Sequence, residues 1–143
     1  GYIHVNIQQR EPVLRVLTGE GYYVDRDGRV MPLSSKFTSR VVVATGDINK
    51  KFACEKLGPF AMKLKNEPFW DAYIEQLVVR SNEDVVMIPK VGDFRIVLGK
   101  VDDCDARLEK LILFLKDGIT KKGWNRYKEI NLKFDNQVVC VRK

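Results

Sequence analysis

Acidic side chains form the densest group of chemically capable residues in this sequence. Asp102, Asp103 and Asp105 lie close together, and clustered carboxylate oxygens can bind a divalent cation. Such a site needs further oxygen ligands, whereas the apolar periodicity of residues 104–115 is typical of a helix that begins here. Carboxylates at a helix start usually cap it and interact with its dipole. We therefore predict that Asp102 or Asp103 caps this helix, that Asp105 favours its positive end, and that no metal site forms.

Nucleophiles and bases are sparse. The sequence has one histidine, His4, which has no serine or cysteine at a spacing that suggests a catalytic pair. The spacing of Cys54, Cys104 and Cys140 is not that of metal ligands, and the last two fall on apolar faces, where cysteine acts as a small hydrophobic residue. Motifs for phosphate, dinucleotide and zinc binding are absent from the sequence. We predict that the chain is not an enzyme and has no cofactor, no metal and no catalytic residue.

Positive charge is concentrated towards the C-terminal end. The net charge is +6, and the segment from Lys121 to Lys143 is strongly basic. A basic segment can bind nucleic acid, anionic lipid or an acidic protein surface. Trp124 and Tyr127 lie among these charges, but their spacing also fits a packed turn, and no nucleic-acid-binding module is recognisable. Binding of nucleic acid or another anionic polymer is the alternative hypothesis.

Length and composition indicate one globular domain. The chain has 143 residues, of which 45% are hydrophobic and 31% charged, as is typical of soluble proteins. No apolar run approaches the roughly 18 residues of a transmembrane helix, and no signal peptide opens the chain. The sequence starts within an alternating segment, residues 2–7, so we expect a piece of a longer protein whose anchor or leading domain is not included.

Alternating and β-branched segments predict a sheet. Residues 22–31 have the signature of a hairpin with Asp27-Gly28 at its turn, and residues 85–89 and 94–98 that of a second hairpin. Further strands are predicted at residues 2–7, 13–16 and 40–44.

Two segments have helical periodicity. One is residues 104–115, with Gly118 as its C-terminal cap. The other begins at Pro68, with Asn66 as a possible cap. Its apolar stripe consists of Phe69, Tyr73, Ile74 and Leu77, and a change to strand at residues 77–79 is the alternative for its end. The segment 49–66 contains Gly58-Pro59 and predicts a loop or a frayed helix. The predicted fold is α+β, with a mostly antiparallel β-sheet, two helices and a C-terminal hairpin at the sheet edge.

That C-terminal hairpin is the segment most suggestive of function. Ile130, Leu132 and Phe134 alternate with polar residues, Asp135-Asn136 is a plausible turn, and residues 137–141 follow as a second strand. An edge strand offers unpaired N–H and C=O groups to a partner's strand. Positive charge would surround this edge, from Lys133, Arg142 and Lys143. An ordinary terminal hairpin kept soluble by its lysines has the same pattern, so both hypotheses stay open.

Several segments, taken in order, carry a family resemblance. They are Gln9-Arg10-Glu11-Pro12, Tyr23-Val24-Asp25 with Gly28-Arg29-Val30-Met31, residues 89–99, residues 108–115 and the closing run 127–139. In combination, over nearly the full length, they resemble the extracytoplasmic part of the bacterial cell-division family FtsQ/DivIB, in a Bacteroidetes-like form.

The resemblance implies a single-pass inner-membrane protein with a POTRA domain and a β domain in the periplasm. Residues 1–11 would be the last strand of a truncated POTRA domain and residues 12–143 the β domain, with Pro12 at the junction. The membrane-anchoring segment would lie outside this chain. Members of the family are non-enzymatic divisome scaffolds that recruit the FtsB–FtsL pair and support septum formation.

The resemblance also implies a binding site. In the family, FtsB adds a strand to the terminal hairpin beside an aromatic and a basic residue. Phe134 stands where the family often has Tyr, and Lys133 where it often has Arg, so a hydroxyl and a bidentate fork are lost. The implied partner-binding residues are Lys133, Phe134, Gln137, Val138, Val139, Cys140 and Val141.

Two expectations follow for this site. Val139→Pro should abolish FtsB binding if the N–H of that residue faces the partner. Charge reversal at Lys133 should mainly slow association.

Overall fold

The computed structural model describes residues 11–32, 40–90, 92–116, 127–133 and 138–142. The predicted strand at residues 2–7, the Gly118 cap and the Asp135-Asn136 turn lie outside these residues.

The described strands form one mixed sheet with the order β3-β2-β1-β4-β5-β6-β7-β8-β9. The strands are β1 (Pro12–Val16), β2 (Tyr22–Asp25), β3 (Val30–Pro32), β4 (Val42–Gly46), β5 (Ile74–Val79), β6 (Val85–Pro89), β7 (Arg95–Gly99), β8 (Tyr127–Asn131) and β9 (Val139–Arg142). Five of the eight pairings are antiparallel, and β1–β4, β4–β5 and β7–β8 are parallel. The α+β class is therefore confirmed, and the sheet is mostly antiparallel as predicted.

Both predicted internal hairpins are present. β2 and β3 pair antiparallel around a turn in which one Asp25 carboxylate oxygen accepts the N–H groups of Asp27, at 2.9 Å, and Arg29, at 2.8 Å. Gly28 closes this turn with φ of 77°, which a residue with a Cβ adopts only at a cost. β6 and β7 form the second hairpin. Local turn chemistry accounts for the first of these hairpins.

The segment 50–66 is helical, so the loop alternative is wrong. Lys50–Phe52 is α-helical, Ala53–Leu57 is a π-helical turn, and Gly58–Asn66 is α-helical again; we name this continuous segment α1. Asn49 caps it, because its side-chain oxygen accepts the N–H of Phe52 at 2.7 Å. The π-helical turn pairs the N–H of Gly58 with the carbonyl of Ala53 just before Pro59, which has no N–H. The wider turn lets the helix accommodate a proline that we expected to break it.

The helix after Pro68 is shorter than predicted. Helix α2 (Pro68–Tyr73) ends where β5 begins, so Ile74 is a buried strand residue and not part of a helical stripe. Leu77 is also a buried strand residue, in agreement with the alternative of a strand at residues 77–79. Its cap is also not Asn66, because Glu67 occupies the N-cap position and accepts the N–H of Phe69 at 3.4 Å.

The third helix, α3 (Asp105–Phe114), lies where periodicity predicts it. Its N-cap residue is Cys104, whose side chain makes no capping hydrogen bond, so the prediction of an Asp102 or Asp103 cap is wrong. Asp105 does lie in the first turn. Three helices are thus present in the described residues, where the sequence predicted two.

One hydrophobic core joins the three helices to alternate residues of the strands. Leu57 of α1, Trp70 of α2 and Leu111 of α3 belong to the same buried cluster as Ile96 and Ile130 of the sheet. The strand neighbours of these sheet residues, such as Val97, lie outside that cluster, so the helices pack on one face of the sheet. Crossovers through helices explain why β4–β5 and β7–β8 are parallel, since a parallel pair cannot be joined by a tight turn.

Candidate docking edge at the C-terminal hairpin

The predicted site residues fall into two groups in the structure. Val138 directly precedes β9, and Val139, Cys140 and Val141 lie within it, all four half-buried. Lys133 follows β8 and is exposed. Phe134 and Gln137 lie outside the described residues, so their predicted roles stay predictions.

β9 is the last strand in the order of the described sheet. It pairs antiparallel with β8 through Glu129↔Val141, Ile130↔Cys140 and Asn131↔Val139. The predicted hairpin is present, and β9 is terminal among the described strands. Its second strand is displaced by about one to two residues from the prediction, as is usual at element boundaries.

The register decides which backbone groups of β9 point outwards. The N–H of Leu132 donates to the carbonyl of Val97 in β7 at 2.8 Å. Because the backbone N–H and C=O groups of successive strand residues point to opposite sides, those of Asn131 point towards β9. Its partner Val139 must then point towards β8, while Cys140 directs its N–H and C=O away from β8. The N–H of Val139 therefore points towards β8 within the hairpin and does not face a partner. The condition under which Val139→Pro was expected to abolish FtsB binding is not met.

Side chains of β9 alternate between the two faces of the sheet. Val138 and Cys140 pack against the hydrophobic core, on the helical face. Val139 and Val141 therefore face the other side, and Arg142 is exposed. A strand added beside β9 would meet an apolar row with a cation at its end.

The opposite edge of the described sheet has a different chemistry. β3 ends in Pro32, which cannot donate a backbone hydrogen bond, and prolines of this kind protect an edge from strand addition. β9 contains no proline. Of the two terminal strands in the described sheet order, β9 is therefore the one without a proline that opposes strand addition.

Lys133 forms an ion pair with a buried acidic residue that the sequence did not single out. Its Nζ lies 2.6 Å from one carboxylate oxygen of Asp84, and Lys100 Nζ lies 3.4 Å from the other. Asp84 is only 2% exposed, although it sits in the turn between β5 and β6. Asn82 donates a further hydrogen bond to this carboxylate at 3.0 Å.

These contacts set the ionisation of Asp84. Burial by itself raises the pKa of the carboxyl group, but the hydrogen bonds from Lys133 and Asn82, and the charges of Lys133 and Lys100, outweigh it. The pKa of Asp84 consequently lies below its ordinary value of 3.8, and the carboxylate is charged at neutral pH. The only sequence signal for this residue is an aspartate directly before an apolar strand, which indicates a turn and not a buried ion pair.

A glycine gives Lys133 room to reach Asp84. A Cβ at Gly99 would lie 3.0 Å from Cγ of Lys133 and 3.3 Å from Nη1 of Arg107, and φ at Gly99 is +89°. The same Arg107 donates to the carbonyls of Leu98, at 2.5 Å, and Lys100, at 2.6 Å. These hydrogen bonds hold the end of β7 against α3, next to the aliphatic part of the Lys133 side chain.

Comparison with known proteins supplies the family. A family model described as FtsQ/DivIB, C-terminal related, matches residues 11–141, which is nearly the whole chain. The chain belongs to this FtsQ/DivIB-related family. No curated protein matches it. Membership of the FtsQ/DivIB-related family indicates a role in cell division, in a family of non-enzymatic, membrane-anchored division scaffolds.

The acidic cluster of this FtsQ/DivIB-related chain forms ion pairs between helical regions. Asp102 pairs with Lys56 at 2.7 Å and Asp105 pairs with Lys63 at 2.6 Å, so both carboxylates connect the α3 region to α1. Within the described ranges, no group of three or more potential metal-ligating side chains converges. Burial raises the pKa of the Cys104 thiol, so it is a buried, protonated side chain at neutral pH.

None of the helices in the described part of this FtsQ/DivIB-related chain is long and apolar enough to cross a bilayer.

Proposed function

We propose that the chain is the β domain of a divisome scaffold and that it holds the FtsB–FtsL pair by strand addition at β9. In this proposal the full protein is anchored in the inner membrane, the domain lies in the periplasm, and residues 1–11 belong to a POTRA domain. No chemistry is performed; the domain supports septum formation by keeping its partners in place.

The position of β9 carries the proposal. β9 terminates the described strand order, whereas the other terminal strand, β3, ends in Pro32. A partner strand beside β9 would gain main-chain hydrogen bonds along the ladder, and its alternate side chains would contact Val139 and Val141 on one face of the sheet. Family membership supplies the class of partner, because the family acts in divisome protein interactions.

Binding is tested with the extracytoplasmic FtsB–FtsL complex. We expect the complex to be retained by the immobilised chain, and a photo-crosslinking amino acid at Val141 to form an adduct with FtsB. The same crosslinker at Val30, in the opposite terminal strand, should form none. Absence of retention, or equal crosslinking at both positions, would reject β9 as the docking strand. Salt-dependent DNA binding without FtsB binding would favour the anionic-polymer hypothesis.

A further inference from the structure

Three segments that are distant in sequence meet at the carboxylate of Asp84. Asp84 ends the β5–β6 turn, and the next residue, Val85, pairs with Gly99 at the end of β7. Lys133 extends from the end of β8 across Gly99 to reach this carboxylate. The contact therefore joins the C-terminal hairpin to a strand connection two strands away in the sheet order.

The hairpin joins the described sheet through a short ladder and through packing on the core. β8 pairs with β7 over three residue pairs, and the N–H of Leu132 adds one more bond to Val97. In the described strand order β9 pairs with β8, and Val138 and Cys140 pack against the core. An ion pair with a buried, charge-assisted hydrogen bond is a large addition to so short a ladder.

Lys133 is fixed at its backbone as well as at its side chain. Its N–H donates to the side-chain oxygen of Asn131 at 2.9 Å, which closes a tight turn as the chain leaves β8. The side chain is 42% exposed, and the Asp84 side chain is 3% exposed, so the lysine closes the acid off from solvent. Lys100 approaches the same acid from the loop after β7, which is not part of the hairpin.

We infer that Asp84 is the positioning residue of the C-terminal hairpin and acts through Lys133. The carboxylate holds the end of β8, and thereby the position of β9, which pairs with β8. Asp84 touches no partner in this arrangement; it orders the edge that a partner uses. The inference rests on the proposed function only where partner binding is the readout.

Amide hydrogen exchange of the isolated chain tests the positioning directly. We expect Asp84→Asn and Lys133→Met each to accelerate exchange at Leu132 and Val139 by roughly ten- to hundredfold, the factor that corresponds to one charge-assisted hydrogen bond. The double variant should exchange no faster than the faster single variant, because both changes remove the same contact.

Two controls separate positioning from general destabilisation. Lys100→Met removes the other lysine from the same carboxylate and should leave exchange at Leu132 and Val139 within about twofold of the original rate, as expected for a more exposed partner. The amide of Leu17, which bonds Ala44 at 3.0 Å at the opposite side of the sheet, should be unaffected in every variant. Uniform acceleration that includes Leu17, or no acceleration at the hairpin, overturns the inference.

Partner binding gives the second readout. Asp84→Asn and Lys133→Met should weaken retention of the FtsB–FtsL complex, and Lys133→Arg, which keeps the cation, should restore both slow exchange and retention. If the original chain does not bind FtsB–FtsL at all, the proposed function fails while the exchange result still decides the role of Asp84. If exchange changes and binding does not, Asp84 orders the hairpin without affecting docking, and the inference is wrong at that step.

Discussion

Reversing the charge at Lys133 should destabilise the fold, and not merely slow association as the family resemblance suggests. Lys133→Glu removes a hydrogen bond to a charged group, which is worth about 1.5–3 kcal/mol. It also places a second carboxylate near Asp84, and two like charges about 4 Å apart repel by roughly 4 kcal/mol at an effective dielectric constant of about 20.

The repulsion must be discounted because the site is partly open. The Lys133 side chain is 42% exposed, so the new carboxylate can turn into water and avoid much of it. Counting the lost hydrogen bond and roughly a quarter to a half of the repulsion gives a destabilisation of about 2.5–5 kcal/mol at neutral pH. Urea unfolding followed by tryptophan fluorescence, to which the buried Trp70 contributes, measures this loss as a fall of about 1–2.5 M in the midpoint.

Lys63→Glu is the matched control. Lys63 and Asp105 are also 2.6 Å apart, but their side chains are 45% and 73% exposed, so reversing this charge should cost no more than about 1 kcal/mol. If Lys133→Glu is no more destabilising than Lys63→Glu, the burial of Asp84 has no energetic consequence and the reasoning is refuted. FtsB association rates for Lys133→Glu can be interpreted only after this comparison.

Two further results are expected. Because the pKa of Asp84 is lower in the folded chain than its ordinary value of 3.8, its ion pair contributes stability above that value, and this contribution is lost as pH falls through the folded pKa. Urea midpoints between pH 7 and pH 2 should therefore fall less steeply on the acid side for Asp84→Asn, and an unchanged slope would contradict this assignment. Gly99→Ala should cost more than the roughly 1–2 kcal/mol of a positive φ, since its Cβ also meets Lys133 at 3.0 Å. Gly19→Ala, at φ +66° with nothing within 4 Å, measures the backbone cost alone, and equal losses in both variants would show that the Lys133 contact is unimportant.

Local chemistry accounts for the elements that the sequence predicts well. The Asp27-Gly28 turn, the alternation around Ile130 and the apolar face of α3 each depend on residues close in the chain. Prediction from local patterns was wrong where one sequence pattern is compatible with two different secondary structures. Ile74 and Leu77 have helical spacing after Tyr73, yet they form a buried strand because β4 and β6 flank them. Gly58-Pro59 is a helix breaker by type, and only the π-helical turn before it keeps α1 continuous.

The sequence alone determined the α+β class, the hairpins and the family to which the chain belongs, because these depend on short-range patterns and on residue identity. Tertiary structure alone decided the strand order, the outward direction of Cys140 and the burial of Asp84 beneath Lys133. Strand order and register depend on pairing between distant segments, and a periodicity of two residues does not specify the neighbour. A charge becomes buried only when distant elements pack around it, so no local pattern distinguishes Asp84 from an exposed turn aspartate.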